Sequence, residues 1–345
     1  MKIHEKYMRR CLQLAANGLG TTYPNPMVGS VIVHQGKIIG EGWHQRAGEP
    51  HAEVMAINSV RQPELLSSSS IYVNLEPCNH YGRTPPCSEL IVKSGIPTVV
   101  IGSLDPNPKV DGTGRTRLEE AGLEVVTGVL EKECTELNKR FITFHQEKRP
   151  HIILKWAESP EGFIAPLEQQ SDEPFWISSP YSKQQVHRLR SQEQAIMIGA
   201  GTLRKDNPSL TTRDWYGNSP EVIVLSRSGD LPKERKLWKT EANKLIIGAK
   251  THRDPKGENI QLTVNKEGVK EILDHLYRYG IQSVIVEGGA ETLNQFINSG
   301  YWDEALVFRG EQNIVQGLKA PVIEGHHQTD YTVKRDVLTH YKASL

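Results

Sequence analysis

The chain has 345 residues, 37% hydrophobic and 24% charged, and its 41 Lys and Arg equal its 41 Asp and Glu. That length exceeds one ordinary core and predicts two domains of globular composition. Charge is balanced in both halves, with 17 basic against 16 acidic residues over 1–150 and 24 against 25 in the rest. Neither half therefore carries the basic footprint of a polynucleotide binder. No apolar run approaches the length of a membrane span. Residues 1–6 lack the apolar core of a signal peptide, so a cytoplasmic location is expected.

In chain order, residues 4–17 read as a helix with Met8, Leu12 and Ala15 along one stripe. A strand over 28–33 turns at Gln35-Gly36 into a second over 37–42. A helix over 51–61, a strand over 71–75, a polar loop, a helix over 87–94 and a strand over 98–101 follow. A helix over 115–121, a strand over 123–126 and a helix from about 130 to 145 complete the first half. This alternation predicts an α/β layered sheet. Glu147-Lys148-Arg149-Pro150 reads as the boundary, three charges and a proline after a helix, which gives domains of 1–147 and 148–345. Beyond it, strands read over 151–157, 195–198, 222–225, 245–247 and 283–286, with helices near 180–191, 268–279 and 290–298. Residues 199–208 are rich in turn formers and suit a ligand loop. Cys11 and Cys134 fall inside helical patterns and read as buried free thiols.

His51-Ala52-Glu53, then Glu76-Pro77-Cys78 and Cys87, carry the clearest chemistry. One imidazole and two thiolates fill three corners of a tetrahedral zinc site and leave the fourth for water, whose pKa zinc lowers to about 7. Glu53 is then free to move protons. The order H-x-E followed by P-C and a second Cys is that of nucleobase deaminases, although eight residues, not two, separate these cysteines. Residues two apart do not share a helix face, which places His51 and Glu53 in the first turn of their helix. Cys87 opens a helix, whose dipole favours its thiolate. The alternative is a closed structural zinc site with His80 as fourth ligand.

In the second half, Val286-Glu287-Gly288-Gly289-Ala290 runs from a strand across two glycines into a helix. Such a helix start offers free N–H groups to a phosphate, plausibly the pyrophosphate of a dinucleotide. A packing turn explains the two glycines equally well. Arg188 and Arg190, with Arg213 further on, have the forked donors that hold a phosphate monoester.

Together these pieces resemble the bifunctional deaminase–reductase family of riboflavin biosynthesis. The resemblance rests on Pro24-Asn25-Pro26-Met27-Val28-Gly29, Gly42-Trp43-His44, His51-Ala52-Glu53, the stretch from Pro77-Cys78-Asn79-His80-Tyr81 through Arg83 to Cys87, and Asp105-Pro106-Asn107-Pro108. In the second half it rests on Trp176-Ile177-Ser178, His187-Arg188-Leu189-Arg190, Gly201-Thr202, Asp206-Asn207-Pro208-Ser209-Leu210, Arg213 and Glu287-Gly288-Gly289. It covers nearly the whole chain, and the long Cys–Cys spacing is what this family looks like.

The resemblance implies a cytidine-deaminase-like α/β/α layered domain followed by a dihydrofolate-reductase-like α/β domain. The first would hydrolyse the 2-amino group of a diaminopyrimidinone ribosylamine 5′-phosphate. His51, Cys78 and Cys87 would hold Zn2+, and Glu53 would shuttle protons. Asn25, His44, His80 and Arg83 would contact pyrimidine or phosphate. The second would use NADPH to reduce the ribosyl group to ribityl. Ala157, Trp176, Thr202, Asp206 and the run Gly289, Ala290, Glu291, Thr292, Leu293, Asn294 and Gln295 would lie on the NADPH side. Arg190, Leu210, Arg213 and Glu287 would lie on the substrate side. The expected partner is a small phosphorylated pyrimidine, neither nucleic acid nor membrane, with assembly as a homo-oligomer left open.

Where the family has Ser-Leu-Asp-Gly, this chain has Ser159-Pro160-Glu161-Gly162, whose proline removes a backbone donor. The stretch from Pro166 to Pro174 also departs from the family. One rival reading therefore keeps the zinc deaminase but makes the second half an inactive or altered-specificity reductase. Another, a nucleic-acid-editing or zinc-stabilised binding module, conflicts with the neutral charge balance.

Overall fold

The computed structural model of the chain describes residues 2–81, 85–107, 110–168, 175–248, 252–253, 259–260, 268–324 and 327–343. Two compact units, Met1–Lys148 and Arg149–Leu345, make up the chain.

In the first unit, helix α1 (Lys2–Ala15) buries Tyr7, Met8, Cys11, Leu14 and Ala15 along one stripe. Strands β1 (Gly29–His34), β2 (Lys37–Trp43), β3 (Ser70–Leu75), β4 (Thr98–Ser103) and β5 (Glu124–Val126) form one sheet in the order β2-β1-β3-β4-β5. The pairs of β1 are antiparallel, and those of β3 with β4 and β4 with β5 are parallel. Between strands lie α2 (Ala52–Asn58), α3 (Cys87–Lys93) and α4 (Thr113–Glu120). Period-two alternation sends Ile32, Ile71, Val73, Val99 and Ile101 into a core with Ala56 of α2, Ile91 of α3 and Leu118 of α4. Val31, Val33, Tyr72 and Val100 point the other way, onto Tyr7, Met8 and Cys11 of α1 and Cys134. The result is the α/β/α sandwich the sequence predicts.

The single helix expected from 130 to 145 is instead α5 (Glu131–Leu137) and α6 (Lys139–Glu147), interrupted at Asn138. Asn138 is 1% exposed; its Oδ1 accepts from the Met27 N–H at 2.8 Å and its Nδ2 donates to the Met27 carbonyl at 3.0 Å. A long-range demand for a buried amide thus overrides helical periodicity.

The second unit is built on eight strands in the order β10-β9-β8-β13-β6-β14-β17-β16. These are β6 (His151–Glu158), β8 (Ala195–Gly199), β9 (Glu221–Leu225), β10 (Lys244–Ile247), β13 (Ser283–Val286), β14 (Glu304–Arg309), β16 (His327–Val333) and β17 (Asp336–Lys342). The six from β10 to β14 run parallel, and β17 and β16 add an antiparallel edge. Two short ladders pair β7 (Phe163–Pro166) with β15 (Gly317–Lys319) and β11 (His252–Arg253) with β12 (Asn259–Ile260). Helix α9 (Gly268–Tyr279) and α10 (Ala290–Ser299) pack Ile272, Leu276, Leu293 and Phe296 on one sheet face. Ile196, Ile198, Val222, Val224 and Ile285 face the opposite way, with Leu189 of α7 (Pro180–Gln192) and Leu203 of α8 (Ala200–Asp206).

Helix α8 replaces the loop expected over 199–208, because one face, through Leu203, fills the core. No sequence pattern marks β7, β11, β12 or any strand beyond residue 286, so these and β14 to β17 go beyond the expected elements. The residues of β17 after Asp336 are mostly half-buried, and no two-faced pattern announces them.

Candidate active sites

The first site forms where α2 and α3 begin. His51 is the N-cap residue of α2, with extended backbone, and Glu53 lies in that helix's first turn. Cys78 follows β3, and Cys87 opens α3. The ligating atoms of His51, Cys78 and Cys87 lie within 4.8 Å of one another. His51 Nδ1 stands 3.6 Å from Cys78 Sγ and 3.3 Å from Cys87 Sγ, while the Cys87 N–H donates to Cys78 Sγ at 3.4 Å.

The chemistry of this trio suits a cation. A hydrogen bond from Cys87, seconded by His51, holds the Cys78 thiol down at about 4. The same contact pushes Cys87 up, and the contact with Cys78 raises His51 to about 9. Protons bridge atoms that a single divalent cation would hold with both sulfurs ionised, so the donor set fits zinc. Three protein ligands are the number catalytic zinc sites use. Among the described residues no fourth ligand joins the cluster; His80, the alternative ligand, is exposed.

Glu53 is 3% exposed and within hydrogen-bonding reach of the Cys87 thiol. Burial, then the Cys78 charge, raises its pKa. His44 is 3% exposed and meets the His51 ring edge-on at 5.4 Å. Its Nδ1 donates to the Pro50 carbonyl at 3.1 Å, so Nε2 accepts from Asn25 Nδ2 at 3.0 Å. Burial lowers the His44 pKa and keeps the ring neutral. Asn25 and His44 thus stand together beside the cluster, and Arg83 lies outside the described residues.

The zinc loop is anchored by residues whose roles the sequence reading left unassigned. Glu76 is 4% exposed and accepts from the backbone N–H groups of Asp105, Gly112 and Arg115 at 3.2, 3.1 and 2.9 Å. Any side chain at Gly114 would strike the Pro77 carbonyl at 2.0 Å, so the loop that carries Cys78 and helix α4 touch there. Ser88 Oγ donates to Asn79 Oδ1 at 2.9 Å, and Asn79 Nδ2 donates to the Thr113 carbonyl at 3.2 Å. Burial raises Asp105 to about 6.

The second site is a cavity of about 1110 Å³ in the second unit, at the C-terminal ends of β6, β8, β9 and β13. Parallel sheets bind ligands at that edge, and the volume suits a dinucleotide with a substrate. Ala157, Trp176, Thr202, Asp206, Gly289, Ala290, Glu291, Thr292 and Gln295 line it, as do Arg190, Leu210, Arg213 and Glu287. Two residues of the 289–295 run do not. Helical rotation turns Leu293 fully into the core and Asn294 to solvent. Arg188, grouped with Arg190 and Arg213 from sequence, points elsewhere, with its guanidinium 5.7 Å from the Trp215 ring centre.

A cation–carboxylate network occupies the cavity floor. Arg190 donates to both oxygens of Glu287, Nε at 3.2 Å and Nη2 at 2.8 Å. Lys155 of β6, unassigned from sequence, places Nζ 3.8 Å from Glu287 Oε2. Burial alone would raise Glu287, but Arg190 and Lys155 outweigh it and hold the carboxyl at about 2. The Lys155 pKa is lowered as well, because burial lowers it more than Glu287 restores it. A lysine in a strand whose neighbours are apolar carries no motif; its proximity to residue 287 appears only with the sheet.

The Gly288-Gly289 turn is closely packed against its neighbours. A Cβ on Gly288 would stand 2.7 Å from Thr292 Cβ, and the Gly289 N–H donates to Thr202 Oγ1 at 3.0 Å. The packing expected of this turn holds at Gly288, and Gly289 lines the cavity with its N–H taken by Thr202. The substituted Ser159-Pro160-Glu161-Gly162 forms a hairpin turn. The Gly162 N–H donates to the Ser159 carbonyl at 2.9 Å, and Gly162 has φ +79°. Pro160 takes the turn position that needs no donor. Glu161 accepts from Ser159 Oγ at 2.7 Å and the Ile314 N–H at 3.1 Å.

Fold and sites define a class: a zinc-binding deaminase unit followed by a reductase unit. Residues 1–103 match the cytidine and deoxycytidylate deaminase zinc-binding region, and residues 150–310 match the RibD C-terminal domain. The chain is 40% identical to the riboflavin biosynthesis protein RibD of Aquifex aeolicus over 92% of its own length and 89% of the relative's. For the Escherichia coli protein of the same name the figures are 36%, 88% and 86%. A Thermotoga maritima crystal structure, described as a diaminohydroxyphosphoribosylaminopyrimidine deaminase/5-amino-6-(5-phosphoribosylamino)uracil reductase, superposes with a TM-score of 0.87. That likeness is at 35% identity and covers 99% of each chain. Acinetobacter baumannii RibD gives 0.89 at 31% identity, covering 100% of this chain and 99% of that one. The chain belongs to the RibD family and is a bifunctional deaminase and reductase of riboflavin biosynthesis.

Proposed function

We propose that the first unit releases the 2-amino group of a 2,5-diamino-6-ribosylamino-pyrimidinone 5′-phosphate as ammonia, and that the second reduces the ribosyl group of the product to ribityl with NADPH. The observation that carries the first half is the convergence of His51, Cys78 and Cys87 beside a buried Glu53. Zinc, when bound, supplies a Lewis acid that makes water acidic near neutral pH. Glu53 takes a proton from the attacking water, returns it to the ring nitrogen, and delivers one to the departing amine. Asn25 and neutral His44 hold the pyrimidine edge, and His80 and Arg83 contact ring or phosphate.

For the second half the support is the cavity at the strand ends, with the Gly288-Gly289 turn and Thr202 on one side and Arg190, Glu287 and Lys155 on the other. NADPH, when bound, supplies hydride for the anomeric carbon. The bond from that carbon to the ring oxygen must break no later than the new C–H bond forms, its electron pair stays on the oxygen, and the oxygen needs a proton. Lys155, buried with its pKa lowered, is placed to give it. Arg213 meets the 5′-phosphate.

Supplying the zinc-loaded chain with the diaminopyrimidine phosphate and either reduced nicotinamide cofactor tests this reading. Ammonia should appear first, followed by NADPH oxidation stoichiometric with it, with NADH a poorer donor. NADPH oxidation without prior ammonia release would refute the order, and equal use of NADH would refute the cofactor.

A further inference from the structure

His187 lies on α7, three residues before Arg190, and therefore on the same helical face. Its side chain is 1% exposed and borders the cavity. Nδ1 accepts the Arg213 backbone N–H at 3.2 Å, while Nε2 stands 3.4 Å from Asp214 Oδ2. Since Nδ1 is an acceptor, the ring proton sits on Nε2 and faces the carboxylate. Arg190 holds the same segment a second time, through its Nη1 and the Thr211 carbonyl at 3.5 Å.

The held segment has reason to need holding. Leu210 has φ +55° and Asn207 +43°, left-handed conformations that cost a non-glycine residue about 1 kcal/mol or more and persist only when neighbours enforce them. Arg213 leaves this segment with its Nη1 bonded to Ser209 Oγ at 3.0 Å and its side chain on the cavity wall.

We propose that His187 is a positioning residue of the reductase site: a neutral imidazole that fixes the backbone of Arg213, so that this guanidinium meets the phosphate of the substrate. The idea rests on the reductase reading above. The charged groups around the ring are Arg190 and Lys183 from α7, Arg213 and Asp214 from the held segment, and Glu287 after β13. Burial and then the arginines pull its pKa down to about 4, so the acceptor at Nδ1 persists at neutral pH.

The test compares His187→Leu, His187→Asn and His187→Gln in the full, zinc-loaded chain. Asn places its amide oxygen as many bonds from Cα as His Nδ1; Gln places it one further. Reductase KM and kcat are measured, with inorganic phosphate as a competing probe and its binding read by calorimetry. The Leu variant should raise substrate KM and weaken phosphate binding about tenfold, the size of one lost buried hydrogen bond, with kcat within about twofold. Asn should restore both, and Gln should not. Unchanged KM and phosphate affinity in the Leu variant would overturn the proposal, as would loss of kcat at constant KM. If the Leu variant fails to fold, equal behaviour of Asn and Gln overturns it. Should wild type transfer no hydride, the reductase reading fails, and phosphate calorimetry still decides the role of His187.

Discussion

The two sites are built in opposite ways. The zinc cluster draws its ligands from one short stretch, residues 51–87, and gathers them at two helix starts beside a single strand. The reductase cavity gathers Lys155, Arg190, Arg213 and Glu287 from distant points of the chain, joined only by the parallel sheet. One site needs a cation to reconcile two thiols; the other already pairs its buried carboxylate with two cations of its own. A local arrangement should therefore fail by losing its metal, and a dispersed one by losing its stability.

Cysteine replacement separates the two most sharply. Cys78→Ser or Cys87→Ser should lower zinc content and abolish ammonia release by a factor of 10³ or more. Oxidation of NADPH by the deaminated intermediate should stay within about twofold. Parallel loss of both activities, measured on the same metal-analysed sample, would contradict the separation.

Glu287→Gln strikes the other side. It leaves Arg190 and Lys155 as buried cations without their carboxylate, which costs about 3–5 kcal/mol. Calorimetry should show one transition moved down, while ammonia release at low temperature persists.

Acid should show the same asymmetry in the wild type. Glu287 is held at about 2 against an ordinary 4.5, so its stabilising contribution, about 3 kcal/mol, is present above 4.5 and lost as pH falls through 2. His187, at about 4 against 6.5, is disfavoured as a cation in the fold, so the unfolded chain takes up more protons between those values. Stability of the second unit should decline from pH 6.5 to 4 and again below 4.5. A melting curve flat over that range would rule this out.

Smaller effects test the fold. Asn138→Ala leaves the buried Met27 N–H without its acceptor, while the Met27 carbonyl keeps Asn74 Nδ2 at 3.1 Å, and should cost the first unit about 2 kcal/mol in a denaturant titration. Pro160→Leu should cost about 0.5 kcal/mol and change reductase turnover less than twofold, because the turn asks nothing of that nitrogen.

What could be read from sequence follows the same division. His51, Glu53, Cys78 and Cys87 follow the order of a zinc deaminase apart from the long Cys–Cys spacing, and the structure brings the donor atoms of His51, Cys78 and Cys87 within 4.8 Å of one another. Strands such as β3 and β13 announce themselves through dense β-branched runs. Asn138 and Lys155 could not be read, since each acts on a residue more than a hundred positions away, Met27 and Glu287. Arg188 looked equivalent to Arg190 in a cluster of like residues, and helical rotation separates them. The mostly half-buried β17 gave no period to follow.

The central claim is that three ligands hold zinc while a buried carboxylate, free of the metal, moves the protons. Metal analysis and ammonia release on wild type and Glu53→Gln test it together. One zinc per chain is expected in both, with no measurable ammonia from the variant. Ammonia release at the wild-type rate, or zinc lost with the carboxylate, would contradict it.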